Sequence, residues 1–131
     1  MRKALIVDDS KPIRTILGST LRELGYAVCE AVSGKDALKV IASEKASVEL
    51  VLVDWNMPEM NGLDLVKQLR QDPELATLKL IMVTNETERD LVASALEAGT
   101  NEYLMKPFTK DMLRDKLDMV GVLPAAKDGE A

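Results

Sequence analysis

Along this chain, short apolar runs bounded by polar residues alternate with longer segments whose apolar positions recur every three or four residues. Ala4 to Val7, Tyr26 to Val28, Leu50 to Val53, Leu80 to Val83 and Tyr103 to Met105 have the length of β-strands, and this predicts five of them. The first intervening segment places Ile13, Ile16, Leu17, Leu21 and Leu24 on one helical face. It carries Pro12 in its first turn and stops at Gly25, which fits the preference for proline at the start of a helix and glycine past its end. Ser33 with Asp36 resembles a capping pair ahead of Ala37, Leu38 and Ile41, and Leu65, Val66 and Leu69 mark a third helix ended near Asp72-Pro73. A fourth helix is predicted from Thr87 to Ala98, closed by Gly99, and a fifth from Thr109 to Val120, closed by Gly121. The residues from Pro124 to Ala131 are small and polar, and a frayed tail is expected there.

Strict alternation of strand and helix predicts an α/β fold with a parallel sheet covered by helices on both faces, because each right-handed crossover returns the chain to the same end of the sheet. In such sheets, ligands bind beyond the carboxyl ends of the strands. Those ends carry Asp8-Asp9, Asp54, Thr84 and Lys106-Pro107. Taken singly, each has an ordinary explanation: an acidic pair makes a solvated turn or a helix cap, Asp54 caps a loop ahead of Pro58, and Lys-Pro makes a turn. Taken together they place three carboxylates, a hydroxyl and an ammonium on one sheet edge. Crowded carboxylates repel, so such a cluster calls for a cation, and an all-oxygen donor set selects a hard ion such as Mg²⁺. In this constellation Asp54 is the best-placed nucleophile for a phosphoryl group, Asp8 and Asp9 are metal holders, Lys106 is a point charge facing the phosphoryl oxygens, and Thr84 is a hydroxyl donor to them.

Composition narrows the alternatives. A formal charge of −5 over 131 residues argues against a nucleic-acid partner, since phosphate-backbone binding relies on clustered Lys and Arg. The chain has no histidine, which excludes His-based zinc sites, a Ser-His-Asp triad and an internal phosphohistidine. A histidine in any phosphate relay must therefore come from a partner. No apolar run approaches the roughly 20 residues of a membrane span, and the N-terminus lacks the pattern of a secretory signal, so a cytoplasmic address with no membrane partner is expected. The single Cys29 is expected as a buried thiol.

These residues resemble the receiver domains of two-component response regulators, and more narrowly the single-domain chemotaxis type. Asp8-Asp9, Asp54, Thr84 and Lys106-Pro107 stand in the family's order, and Asp54-Trp55-Asn56-Met57-Pro58 with Asn61-Gly62 is close to the chemotaxis form. The resemblance implies a flavodoxin-like, doubly wound (βα)5 fold with strand order 2-1-3-4-5, a receiver domain over residues 1–122 and a flexible tail over 123–131. It implies Asp54 as phosphoacceptor, and Asp9, Asp54 and the carbonyl of Asn56 as direct ligands of Mg²⁺, with Mn²⁺ as a substitute. Asp8 would act through water, and a cis peptide would join Lys106 to Pro107. Tyr103 matches a switch aromatic that responds to Thr84, although a half-buried strand tyrosine is its plainer explanation. Asn56 and Glu86 match positions that tune dephosphorylation, and a surface role for Glu86 is nearly as good an account.

As partners, the resemblance implies a chemotaxis-type sensor histidine kinase docking near Ile13, Arg14 and Leu17, a flagellar motor switch protein and a phosphatase, with the regulator itself a monomer. The same three residues serve equally as helix surface and core. Two departures bear on output: Asn85 follows Thr84 where a small residue is usual, and Glu102 precedes Tyr103 where glycine is common. The alternatives are a phosphorelay intermediate or phosphate sink without motor contact, a flavin-binding protein of the same shape, and a magnesium-dependent phosphatase. Acidic strand ends would repel a flavin phosphate, and no added loops enclose a phosphatase substrate. The expectation is a phosphoacceptor switch that assists its own phosphorylation and dephosphorylation, with no organic cofactor, rather than an enzyme.

Overall fold

In the computed structural model, which describes residues 2–45, 47–85 and 91–122, the five predicted strands form one parallel sheet in the order β2-β1-β3-β4-β5. The strands are β1 Lys3–Val7, β2 Ala27–Ala31, β3 Val48–Asp54, β4 Lys79–Asn85 and β5 Glu102–Lys106. The helices are α1 Lys11–Glu23, α2 Gly34–Glu44, α3 Gly62–Arg70, α4 Val92–Glu97 and α5 Lys110–Met119, with a short 3₁₀ turn at Pro73–Leu75.

Strand periodicity explains how both faces are covered. Successive side chains point to opposite faces, so a continuously apolar strand feeds two cores at once. Leu5, Val7, Val51, Val53, Leu80 and Met82 pack with Ala37, Ile41, Leu65, Val66, Leu69 and Ala95 of α2, α3 and α4. Ala4, Ile6, Leu50, Leu52, Ile81, Val83 and Leu104 pack with Leu17, Leu21, Leu113 and Leu117 of α1 and α5.

Local chemistry sets the helix starts, at Ser33 as the sequence predicts and at three further caps. Ser10, Ser33, Asn61 and Thr109 each accept a hydrogen bond from the third residue of the helix they open. Such a cap satisfies an otherwise orphaned amide, and each is worth about 1 kcal/mol. Asp36 also accepts from the backbone of Val32, bracing the entry to α2.

Three expectations are corrected. Ile16 is 53% exposed and lies off the buried face of α1, which is instead made by Leu17, Gly18, Thr20 and Leu21. The second strand runs later than its apolar run: Tyr26 is buried ahead of it, its hydroxyl 3.4 Å from the carbonyl of Val122. Cys29 is only partly buried, because β2 is an edge strand. The start of the predicted fourth helix, at Thr87, and the tail beyond Val122 lie outside the described residues.

Candidate functional site

The carboxyl ends of β1, β3 and β5 meet at one edge of the sheet. The three central strands are in register there: Val7 pairs with Val53, and Asp54, the last residue of β3, with Val83 of β4. Asp8 follows β1 directly, so the parallel ladder brings the acids together without any special loop. Carboxylate oxygens of Asp8, Asp9 and Asp54 all lie within 4.8 Å of one another. Asp8 and Asp54 are buried and Asp9 is exposed, which opens the group to solvent on one side. Lys106, the last residue of β5, places its Nζ 3.3 Å from Asp54 Oδ1 and 3.8 Å from Asp8 Oδ2. The peptide from Lys106 to Pro107 is cis.

Burial, followed by the charge of Asp8, pushes Asp54 up to about 6, against the opposing pull of Lys106 and of the Asn56 N–H. Burial likewise raises Asp8, opposed first by the backbone N–H of Ser10, which donates to its Oδ1 at 2.8 Å. Asp8 Oδ2 finds no hydrogen-bond partner among the described residues. An all-oxygen, closely spaced donor set with an unsatisfied buried oxygen fits a small hard cation, which would restore both carboxylates to their ionised form. Thr84, 1% exposed, follows the residue in register with Asp54, and its Oγ1 too finds no partner among the described residues. A buried hydroxyl without a partner is costly, and an oxygen-rich ligand at the pocket would supply one.

Of the residues singled out from the sequence, Asp8, Asp9, Asp54 and Lys106 converge, with Thr84 on the adjoining strand and Asn56 on the exposed loop after β3. Tyr103 stands apart from them. It is half-buried on β5 and lines a hollow of about 500 Å³ with Val92, Met105, Met112 and Lys116. The Lys116 Nζ sits 4.1 Å from the centroid of its ring and 3.1 Å from Glu102 Oε1. That same oxygen accepts from the backbone N–H of Tyr103 at 3.0 Å. Asn85, one of the two departures from the family pattern, lines a different hollow with Ile13, Ile16, Lys106, Pro107 and Phe108. Leu17 is 1% exposed and belongs to the core, so it offers no docking surface. Glu86 lies outside the described residues.

Gly62 is a site residue that pattern reading passes over. A Cβ there would stand 2.7 Å from the carbonyl oxygen of Asp54 and 3.0 Å from Cα of Trp55. Only glycine lets α3 pack this closely against the end of β3, where the Gly62 N–H also donates to the carbonyl of Trp55 at 2.9 Å. The Asn61-Gly62 pair in the sequence was the available signal.

A profile of the response regulator receiver domain matches residues 4–118. The chain belongs to the receiver-domain family. Chemotaxis protein CheY1 of Helicobacter pylori is 45% identical over 119 residues, covering 90% of this chain and 95% of that protein. Chemotaxis protein CheY-3 of Vibrio cholerae is 43% identical, covering 90% of each chain. Among solved structures, chemotaxis protein CheY4 of Vibrio cholerae superposes with a TM-score of 0.83 at 34% identity, over 92% of this chain and 98% of that one. The receiver is thus homologous to single-domain chemotaxis response regulators and works in phosphorelay signalling. Receivers are signalling switches, and they bind Mg²⁺ at an acidic pocket. Among the described residues no helix is long and apolar enough to cross a membrane.

Proposed function

We propose that Asp54 of this receiver accepts a phosphoryl group from a chemotaxis-type sensor histidine kinase and that the aspartyl phosphate, read by partner proteins, is its signal. The observation that carries this reading is the meeting of Asp8, Asp9 and Asp54 within 4.8 Å of one another, with the Lys106 ammonium against Asp54. In the transfer, a carboxylate oxygen of Asp54 bonds to phosphorus while the bond from phosphorus to the donor imidazole nitrogen breaks, its electron pair leaving with the imidazole. Mg²⁺, with Mn²⁺ as a substitute, when held by Asp8, Asp9, Asp54 and the carbonyl of Asn56, supplies charge that offsets repulsion between the carboxylate and the incoming phosphoryl oxygens.

The protein's own groups do the rest. Lys106 faces the same oxygens as a point charge. Thr84 donates its hydroxyl to one of them, ending the isolation of a buried polar group. Asn56 and Glu86 tune the rate at which water removes the phosphoryl group, so the domain assists both its own phosphorylation and its dephosphorylation. Movement of Thr84 is coupled to Tyr103 and hence to the surface of α4, β5 and α5, where a flagellar motor switch protein and a phosphatase are the partners. The regulator acts as a cytoplasmic monomer, its receiver domain spanning residues 1–122. The names of the relatives support the chemotaxis assignment.

The test is intact mass after incubation with acetyl phosphate, with and without Mg²⁺, on the wild type and on Asp54→Asn. A gain of about 80 Da that needs both Mg²⁺ and Asp54 is expected. No gain under any condition would overturn the reading.

A further inference from the structure

We infer that Arg14 is a positioning residue for the acidic pocket: it clamps the turn that carries Asp8 and Asp9, and is itself held by Glu30. The inference rests on reading the three carboxylates as a cation site. Arg14 projects from the first turn of α1, and its side chain is only 12% exposed. Its Nη1 donates to the backbone carbonyl of Asp8 at 2.7 Å, and its Nε donates to Glu30 Oε1 at 2.8 Å. The Asp8 N–H donates to the carbonyl of Ala31 on β2 at 3.1 Å. The main chain of Asp8 is therefore fixed on both sides, by a strand neighbour at its amide and by a guanidinium at its carbonyl. Asp9, the exposed member of the cluster, follows that carbonyl directly and inherits its direction from it. Glu30 lies beside Ala31 on β2, so one edge strand anchors both ends of the clamp.

This arrangement gives Arg14 two effects of opposite sign on a bound cation. As a nearby positive charge it repels one, and as a clamp it holds the ligands in place. Groups that orient metal ligands typically change affinity by about 10-fold to 100-fold when removed. The planar fork of arginine suits a residue bonded at two of its nitrogens, which a lysine ammonium does not reproduce. If charge alone mattered, loss of Arg14 would tighten cation binding. If the clamp dominates, it weakens binding.

The experiment is a Mg²⁺ titration followed by the fluorescence of Trp55, the only tryptophan and the neighbour of Asp54, and repeated by calorimetry. It compares the wild type, Arg14→Ala, Arg14→Lys, Glu30→Gln and the Arg14→Ala/Glu30→Gln double variant, each checked for folding by circular dichroism. Arg14→Ala is expected to bind about 10-fold more weakly. Arg14→Lys should recover only part of that loss. Glu30→Gln should weaken binding by a smaller factor and add nothing in the double variant, because its effect passes through Arg14. Unchanged or tighter Mg²⁺ binding in Arg14→Ala, or additive losses in the double variant, would overturn the inference while leaving the cation site standing. Absence of Mg²⁺ binding in the wild type would overturn the site reading and this inference with it.

Discussion

Lys106 Nζ lies 3.3 Å from Asp54 Oδ1 and 3.8 Å from Asp8 Oδ2, so a single ammonium serves two buried carboxylates. Replacing it by glutamine removes an ammonium that favours the ionised form of both. In Mg²⁺-free buffer, Lys106→Gln is expected to raise the titration of Asp54 above about 6, measured by carboxyl ¹³C shifts. Phosphorylation by acetyl phosphate should slow by about 10²-fold, in the range seen when a charged stabiliser of a transferring group is lost. An unchanged rate would remove Lys106 from the proposed chemistry.

The raised Asp54 also makes a signed prediction for stability. An acid with a folded-state pKa above its unfolded value binds more protons in the native state, so its favourable contribution is complete below about 3.8 and is lost as pH rises through about 6. The full shift corresponds to about 3 kcal/mol. Without Mg²⁺, Asp54→Asn should be more stable than the wild type by up to that amount at pH 7.5, with the difference shrinking toward pH 4. Urea unfolding across this range measures it, and saturating Mg²⁺ should narrow the gap.

Gly62→Ala forces a methyl group to within 2.7 Å of the Asp54 carbonyl oxygen and of Met82 Sδ. The methionine can yield, but the backbone oxygen cannot without moving Asp54. A loss of about 1–3 kcal/mol in denaturant unfolding is expected, together with slower phosphorylation. A variant that is as stable and as reactive as the wild type would show that α3 can shift freely.

Neighbouring positions on α1 should behave oppositely. Leu17→Ala empties part of the core on the α1 and α5 side and should cost about 2–5 kcal/mol. Ile16→Ala, on the exposed face, should fall within about 0.5 kcal/mol of the wild type. Ile16→Asp, which places a charge in the hollow shared with Pro107 and Phe108, is expected to slow transfer from the kinase while leaving acetyl phosphate reactivity intact. Equal effects on both donors would argue against this hollow as a docking face.

Glu102→Gln releases Lys116 from a pair in which both side chains are about one-fifth exposed. Stability should change by less than about 1 kcal/mol. The sensitive readout is the Lys116 Hε resonance, displaced by the Tyr103 ring 4.1 Å away, which should move toward its ordinary position. No movement would mean that Glu102 has no part in holding Lys116 over the ring.

Much of this architecture is visible in the sequence because a doubly covered parallel sheet makes its strands continuously apolar, as in Leu50 to Val53. What escaped were features in which polar residues take part in regular structure. Lys3, Asp54, Asn85, Glu102 and Lys106 all belong to strands because the ladder pairs backbones whatever the side chain. Strand β2 begins later than its apolar run because Tyr26, ahead of it, is buried in the core shared with α1 and α5, its hydroxyl meeting Val122 just past α5. Ile16 was assigned to the core because buried Gly18 and Thr20 turn the packed stripe of α1 away from it. The acidic site could be read because its residues close successive strands. The grip of Arg14 on a backbone carbonyl has no side-chain signature, and nothing in the spacing announces it.

The order β3-β4-β5 sets a short span between chemistry and output. With strands about 4.8 Å apart, β5 runs roughly 10 Å from β3, close to one Debye length at moderate salt. Negative charge arriving at Asp54 therefore acts on β5 electrostatically, alongside the movement proposed for Thr84 and Tyr103. Ionic strength then becomes a second input: dilute surroundings extend the reach of the signal, and concentrated ones shorten it.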